Sequence, residues 1–125
     1  MSQPSFSCLI VDDSKIVRKV TRKILEAFHI AIEEAEHGLE ALEMCKQRRF
    51  RLIMLDWHMP HMNGLEFLKQ FRGLPGNENT LVIFCTTETD INRIAEAMAA
   101  GANEYVMKPY DEGIIKGKLV QLGLL

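Results

Sequence analysis

Five short apolar runs alternate with five segments of helical period along this chain, and no long linker, repeat or low-complexity stretch interrupts them. The runs fall near 7–11, 31–35, 51–56, 81–86 and 104–107, and the helical segments near 15–28, 38–48, 64–72, 90–100 and 112–121. Runs such as Leu52-Ile53-Met54-Leu55 and Leu81-Val82-Ile83-Phe84 show no polar alternation, which is how strands buried on both faces read. Strict alternation of strand and helix predicts an α/β fold: one parallel sheet, helices on both faces, right-handed crossovers. Ligands of such sheets bind beyond the carboxyl ends of the strands, where the strand order reverses.

Local signals place the helices. Ser14 is a good N-cap for the first, whose apolar face is expected to use Ile16, Val17, Val20, Ile24, Leu25 and Phe28. Its other face carries the basic stripe Arg18, Lys19, Arg22 and Lys23, read either as a solvated face or as a contact for an acidic partner helix. The second helix follows Gly38 and is expected to bury Leu39, Leu42 and Cys45. The third follows Asn63-Gly64, with Leu65, Phe67, Leu68 and Phe71 inward. The fourth turns Ile91, Ile94, Ala95 and Met98 inward and stops at Gly101, a C′ position. Gly113 and Gly117 weaken the last, each by about 1 kcal/mol relative to Ala.

Composition narrows the class. The chain has 125 residues, 47% hydrophobic and 26% charged, which suits a single globular domain with a real core. Residues 1–5 are expected to form a flexible N-terminus. No apolar run reaches the roughly 20 residues of a membrane span, and the N-terminus lacks the basic and apolar regions of a secretory signal. A cytoplasmic protein is expected. A net charge of −2 argues against general nucleic-acid binding. Cys8, Cys45 and Cys85 make an odd count without paired spacing, which predicts neither a disulfide framework nor a zinc site.

The chemically interesting residues all end strands. Asp12 and Asp13 close the first run and Asp56 the third. Thr86 and Thr87 close the fourth, and Lys108-Pro109 the fifth. Adjacent in one sheet, the acidic strand ends would crowd three carboxylates together. Two like charges roughly 4 Å apart repel by about 4 kcal/mol at an effective dielectric of about 20. A hard divalent cation is the natural compensation, and Mg²⁺ suits a site that keeps waters and takes phosphate oxygens. Metal, carboxylate nucleophile, hydroxyl donor and fixed cation together point to phosphoryl chemistry.

These residues, with Val11-Asp12-Asp13-Ser14, Glu33-Glu34-Ala35-Glu36-His37-Gly38, Asp56-Trp57-His58-Met59-Pro60-His61-Met62-Asn63-Gly64-Leu65-Glu66, Ala100-Gly101-Ala102 and Tyr105-Val106-Met107-Lys108-Pro109, make the chain resemble the CheY-like receiver domains of two-component response regulators. The resemblance implies a flavodoxin-like sheet of strand order 2-1-3-4-5, an order taken over with the family. It implies that Asp56 is the phosphoacceptor, charged by a sensor histidine kinase or a histidine phosphotransfer protein. It implies Mg²⁺ held by Asp13, Asp56 and the His58 backbone carbonyl, with Asp12 acting through water. Lys108, before a cis peptide bond, would pair with the phosphoryl group, and Thr86 would donate its hydroxyl to it. Thr86 and Tyr105 would form the switch that alters the face of helix four, strand five and helix five.

Several positions depart from the family pattern. His58 stands where the chemotaxis member has Asn, Thr87 where many receivers have Ala, and Glu88 follows. These three are candidate modulators of phosphoryl lifetime. Tyr110 stands where Phe is common and is expected to pack with its hydroxyl at the surface. The glycine-containing last helix puts flagellar-motor binding in doubt. The reading is therefore a stand-alone, monomeric receiver without an effector domain, modifying only itself, with a protein target that the sequence does not name. Its output is motility-like, or that of a phosphate shuttle or sink. A phosphatase of the haloacid-dehalogenase type shares the Asp, Thr, Lys and Mg²⁺ but needs a second Asp where His58 stands. A phosphorylation-independent interaction module is the third alternative.

Overall fold

The structure, a computed structural model, describes residues 6–125. The flexible terminus expected for residues 1–5 lies outside the described residues. The elements are β1 (Phe6–Val11), α1 (Lys15–Glu26), β2 (Ile30–Ala35), α2 (Gly38–Gln47), β3 (Leu52–Asp56), α3 (Gly64–Gly73), β4 (Leu81–Thr86), α4 (Ile91–Ala99), β5 (Glu104–Met107) and α5 (Glu112–Gln121). All pairings are parallel, in the order β2-β1-β3-β4-β5. The strand order therefore reverses between β1 and β3; Asp12 follows the last residue of β1 and Asp56 is the last residue of β3.

Strand alternation divides the core into two layers. One face of the sheet contributes Leu9, Val11, Ile53, Leu55, Val82 and Phe84, packed with Leu42, Phe67, Leu68 and Phe71 of α2 and α3. The other contributes Cys8, Ile10, Ile32, Met54, Ile83 and Val106, packed with Leu25 of α1 and with Ile115 and Leu119 of α5. All three cysteines are buried free thiols. Burial pushes Cys85 up to about 12 and Cys45 up to about 11. Both are inert apolar packing at neutral pH.

Caps set the helix starts. The Ser14 hydroxyl accepts the Val17 N–H at 3.2 Å. Asn63 and Glu66 form a reciprocal capping box at 2.9 and 3.0 Å. His37 caps α2 by accepting the Glu40 N–H on its Nδ1 at 3.2 Å. Gly101, at φ +119, occupies the left-handed position that ends α4. α5 is a full ten residues, and Gly113 and Gly117 both lie exposed on it.

Three expectations about helix faces are corrected. In α1 the inward residues are Arg18, Thr21 and Leu25, while Ile16 is 76% and Val20 50% exposed. The helix is turned because polar groups of neighbouring elements claim Arg18 and Thr21, as described below. In α2, Leu39 is exposed and Ala41 is buried instead. In α4, Ile91, Ala95 and Met98 are exposed and only Ala97 is fully buried. Ala41 and Ala97 take the inward positions of these helices, and the larger apolar side chains fall on the outer side.

Candidate functional site

The carboxyl edge of the sheet gathers Asp12, Asp13, Asp56, Thr86 and Lys108. Asp12 and Asp56 are buried and Asp13 is exposed. One carboxylate oxygen from each Asp lies within 4.8 Å of the others. Lys108 Nζ donates to Asp56 Oδ1 at 2.8 Å and to Asp12 Oδ2 at 3.0 Å. Its single positive charge is shared between two of the three carboxylates and offsets one unit of their negative charge. The donor set is all oxygen, partly sheltered and open on the Asp13 side, which fits a small hard cation that keeps water ligands.

The backbone holds these groups in place. Asp12 Oδ1 accepts the Ser14 N–H at 2.9 Å, fixing the β1–α1 turn. The Trp57 N–H bonds the Cys85 carbonyl at 3.2 Å, so pairing of β3 with β4 continues past Asp56. Gly64 N–H then bonds the Trp57 carbonyl at 2.8 Å. A Cβ at Gly64 would touch the Asp56 carbonyl and stand 2.7 Å from the Phe84 ring, so only glycine lets α3 begin this close to Asp56. The Lys108 N–H bonds the Thr86 carbonyl at 2.8 Å, tying the ends of β4 and β5.

Electrostatics follow from this packing. Burial pushes the Asp56 carboxyl above its ordinary range, the Lys108 hydrogen bond pulls it down, and the Asp12 and Asp13 charges push it up again. Burial lowers Lys108, but its bonds to Asp56 and Asp12 outweigh that and leave it raised and cationic. The fully buried Thr86 accepts the Glu88 N–H on Oγ1 at 2.8 Å, so its own hydroxyl proton is still available to donate.

The profile of the response regulator receiver domain matches residues 8–119. The chain belongs to this family. A receiver is a signalling switch of two-component phosphorelays, and membership displaces the phosphatase alternative. The chain is 37% identical over 113 residues to a chemotaxis protein CheY homolog of Campylobacter jejuni, covering 89% of this chain and 87% of that one. It is 36% identical over 112 residues to chemotaxis protein CheY-3 of Vibrio cholerae, covering 89% and 86%. Among solved structures it resembles Vibrio cholerae CheY4, with TM-score 0.87 and 32% identity over 92% of this chain and 96% of that one. A CheY-like receiver domain from Methanospirillum hungatei gives TM-score 0.84 and 28% identity, covering 97% and 94%.

His58, Thr87, Glu88 and Tyr105 occupy different settings. His58 is exposed, with its ring 6.5 Å from that of Trp57, and Thr87 is exposed at the rim. The Glu88 carboxylate turns toward α4, accepting the Asp90 N–H at 2.9 Å and lying 4.0 Å from Arg93. Tyr105, opposite Phe84 in the β4–β5 register, packs on the α2–α3–α4 side of the sheet, with Lys118 Nζ 5.4 Å from its ring centre. The Lys108–Pro109 peptide is cis. No helix of the described residues is long and apolar enough to cross a membrane.

Two parts of this receiver escaped sequence reasoning. Arg18 is not part of a solvated stripe. It is buried, donating to the Asp12 carbonyl at 2.7 Å and to Glu34 at 2.9 Å, while Arg22 takes the other Glu34 oxygen at 2.6 Å. The signal was Glu34 itself, which shares the α1 side of β2 with Ile30 and Ile32 and so demands a cation from α1. The Tyr110 hydroxyl is likewise not at the surface: it shares a 2.7 Å hydrogen bond with the buried Thr21 of α1.

Proposed function

We propose that this receiver accepts a phosphoryl group on Asp56 from a phosphohistidine of a sensor histidine kinase or histidine phosphotransfer protein. One Asp56 oxygen attacks phosphorus, the P–N bond breaks with its electrons going to the donor imidazole, and an acyl phosphate remains. The observation that supports this is the strand-end cluster, with Lys108 held between Asp56 and Asp12 where the sheet order reverses. Asp13, Asp56 and the His58 carbonyl are the residues that would hold Mg²⁺ directly, with Asp12 acting through water. Bound there, magnesium neutralises the crowded carboxylates and the incoming phosphoryl oxygens.

The chain's own groups do the rest. Lys108 moves from a carboxylate to a phosphoryl oxygen as a compact charge, and Thr86 donates its hydroxyl to another. Displacement of Thr86 alters the packing around Tyr105 and thereby the α4–β5–α5 face, which contacts a downstream protein. His58, Thr87 and Glu88 border the path of water and tune the lifetime of the acyl phosphate. The donor approaches over α1, where exposed Ile16 and Val20 meet Thr87, Pro109 and Tyr110 in an apolar groove of about 290 Å³ beside Lys108. The protein works in the cytoplasm as a switch, not a turnover enzyme.

The test uses Trp57, buried next to Asp56. Beryllofluoride with Mg²⁺ is expected to change its fluorescence in a saturable manner. No response in Mg²⁺ would favour an interaction module that works without phosphorylation.

A further inference from the structure

The α1 helix makes two polar contacts one turn apart, the first buried and the second part-buried. Arg18 donates to the Asp12 carbonyl at 2.7 Å, holding the β1–α1 turn. Thr21 Oγ1 lies 2.7 Å from the Tyr110 hydroxyl, holding the β5–α5 loop two residues after Lys108. The two loops pinned in this way carry the two partners of the 3.0 Å Asp12–Lys108 ion pair. Thr21 is fully buried, and burial pushes the Tyr110 hydroxyl well above its ordinary value, so it stays a neutral hydrogen-bonding group. A phenylalanine would fill the same space without the bond. The hydroxyl therefore adds a tie between α1 and the β5–α5 loop that packing alone does not supply.

We propose that Tyr110, acting through Thr21, is a positioning residue for phosphoryl transfer. The hydroxyl pair ties the Lys108 loop to α1 and fixes the ammonium at the distance from Asp12 and Asp56 that the reaction uses. This rests on Asp56 being the phosphoacceptor. A long flexible Lys side chain gains most from such a tether, because its reach depends on where its backbone is held.

Phosphorylation rates are measured with a small phosphoramidate donor and Mg²⁺, at a temperature where circular dichroism shows every variant folded. Tyr110→Phe and Thr21→Val, which keep shape and remove a hydroxyl, are each expected to slow labelling roughly fivefold, the rate equivalent of one ordinary buried hydrogen bond. The double variant is expected to be no slower than either single one. Thr21→Ser, which keeps the hydroxyl and loses a methyl, is expected to retain the parental rate. Labelling by Tyr110→Phe at the parental rate, even with a lowered melting temperature, overturns the proposal, and so does equal slowing by Thr21→Ser and Thr21→Val. Asp56→Asn measured alongside separates the two claims: label persisting there removes the phosphoacceptor reading itself.

Discussion

Lys108 Nζ sits 2.8 Å from Asp56 Oδ1 and bridges to Asp12 across the point where the sheet order reverses. A fixed cation thus occupies part of the acidic cluster. Lys108→Ala removes a charge that competes with Mg²⁺. Titration of Trp57 fluorescence is expected to give Mg²⁺ affinity equal to the parent or tighter, while phosphorylation-dependent partner switching is lost. Normal switching in this variant would remove Lys108 from the mechanism.

Gly64 sets how closely α3 approaches Asp56. A Cβ there would meet the Asp56 carbonyl, the Phe84 ring and, at 3.1 Å, the Trp57 Cα. Gly64→Ala is expected to cost about 1–3 kcal/mol by overpacking, read by urea unfolding, and to slow phosphorylation because the backbone of the acceptor must move. Unchanged stability would show that the loop yields freely.

Glu34 predicts an acid sensitivity. Burial raises its carboxyl, but Arg22 and Arg18 overcome that and hold it below its ordinary value. A carboxyl lower in the folded state than its unfolded value of about 4.3 contributes fully above that value and loses its contribution as pH falls through the folded value. Urea unfolding followed down from neutral pH is expected to show stability falling in this acid window. Glu34→Gln is expected to be less stable at neutral pH and flatter below it. An identical pH slope in the variant would contradict the assignment.

His58 is exposed two residues after Asp56 in the chain. His58→Asn is expected to change the decay rate of the acyl phosphate, followed after the donor is removed. Identical decay would make the imidazole a bystander.

The strand ends were legible because their positions follow from the fold. Once apolar runs alternate with helices, residues 12, 56, 86 and 108 must reach one edge of a parallel sheet. The rotation of α1 was not legible. Helical period points to Ile16 and Val20 as core, yet Glu34 of β2, the Asp12 carbonyl in the β1–α1 turn and the Tyr110 hydroxyl in the β5–α5 loop turn Arg18 and Thr21 inward. Those partners lie 6 to 89 residues away in sequence. A pattern within one helix carries no record of them. Leu39 and Ile91 failed for a related reason, since Ala41 and Ala97 take the inward positions of their helices instead.

The most direct measurement is intact-protein mass spectrometry after exposure to a small phosphoramidate donor with Mg²⁺, without Mg²⁺, and in Asp56→Asn. One phosphoryl group is expected on the parent protein in Mg²⁺ only, and none on Asp56→Asn. Equal labelling of Asp56→Asn, or labelling of the parent that ignores the metal, would contradict the account.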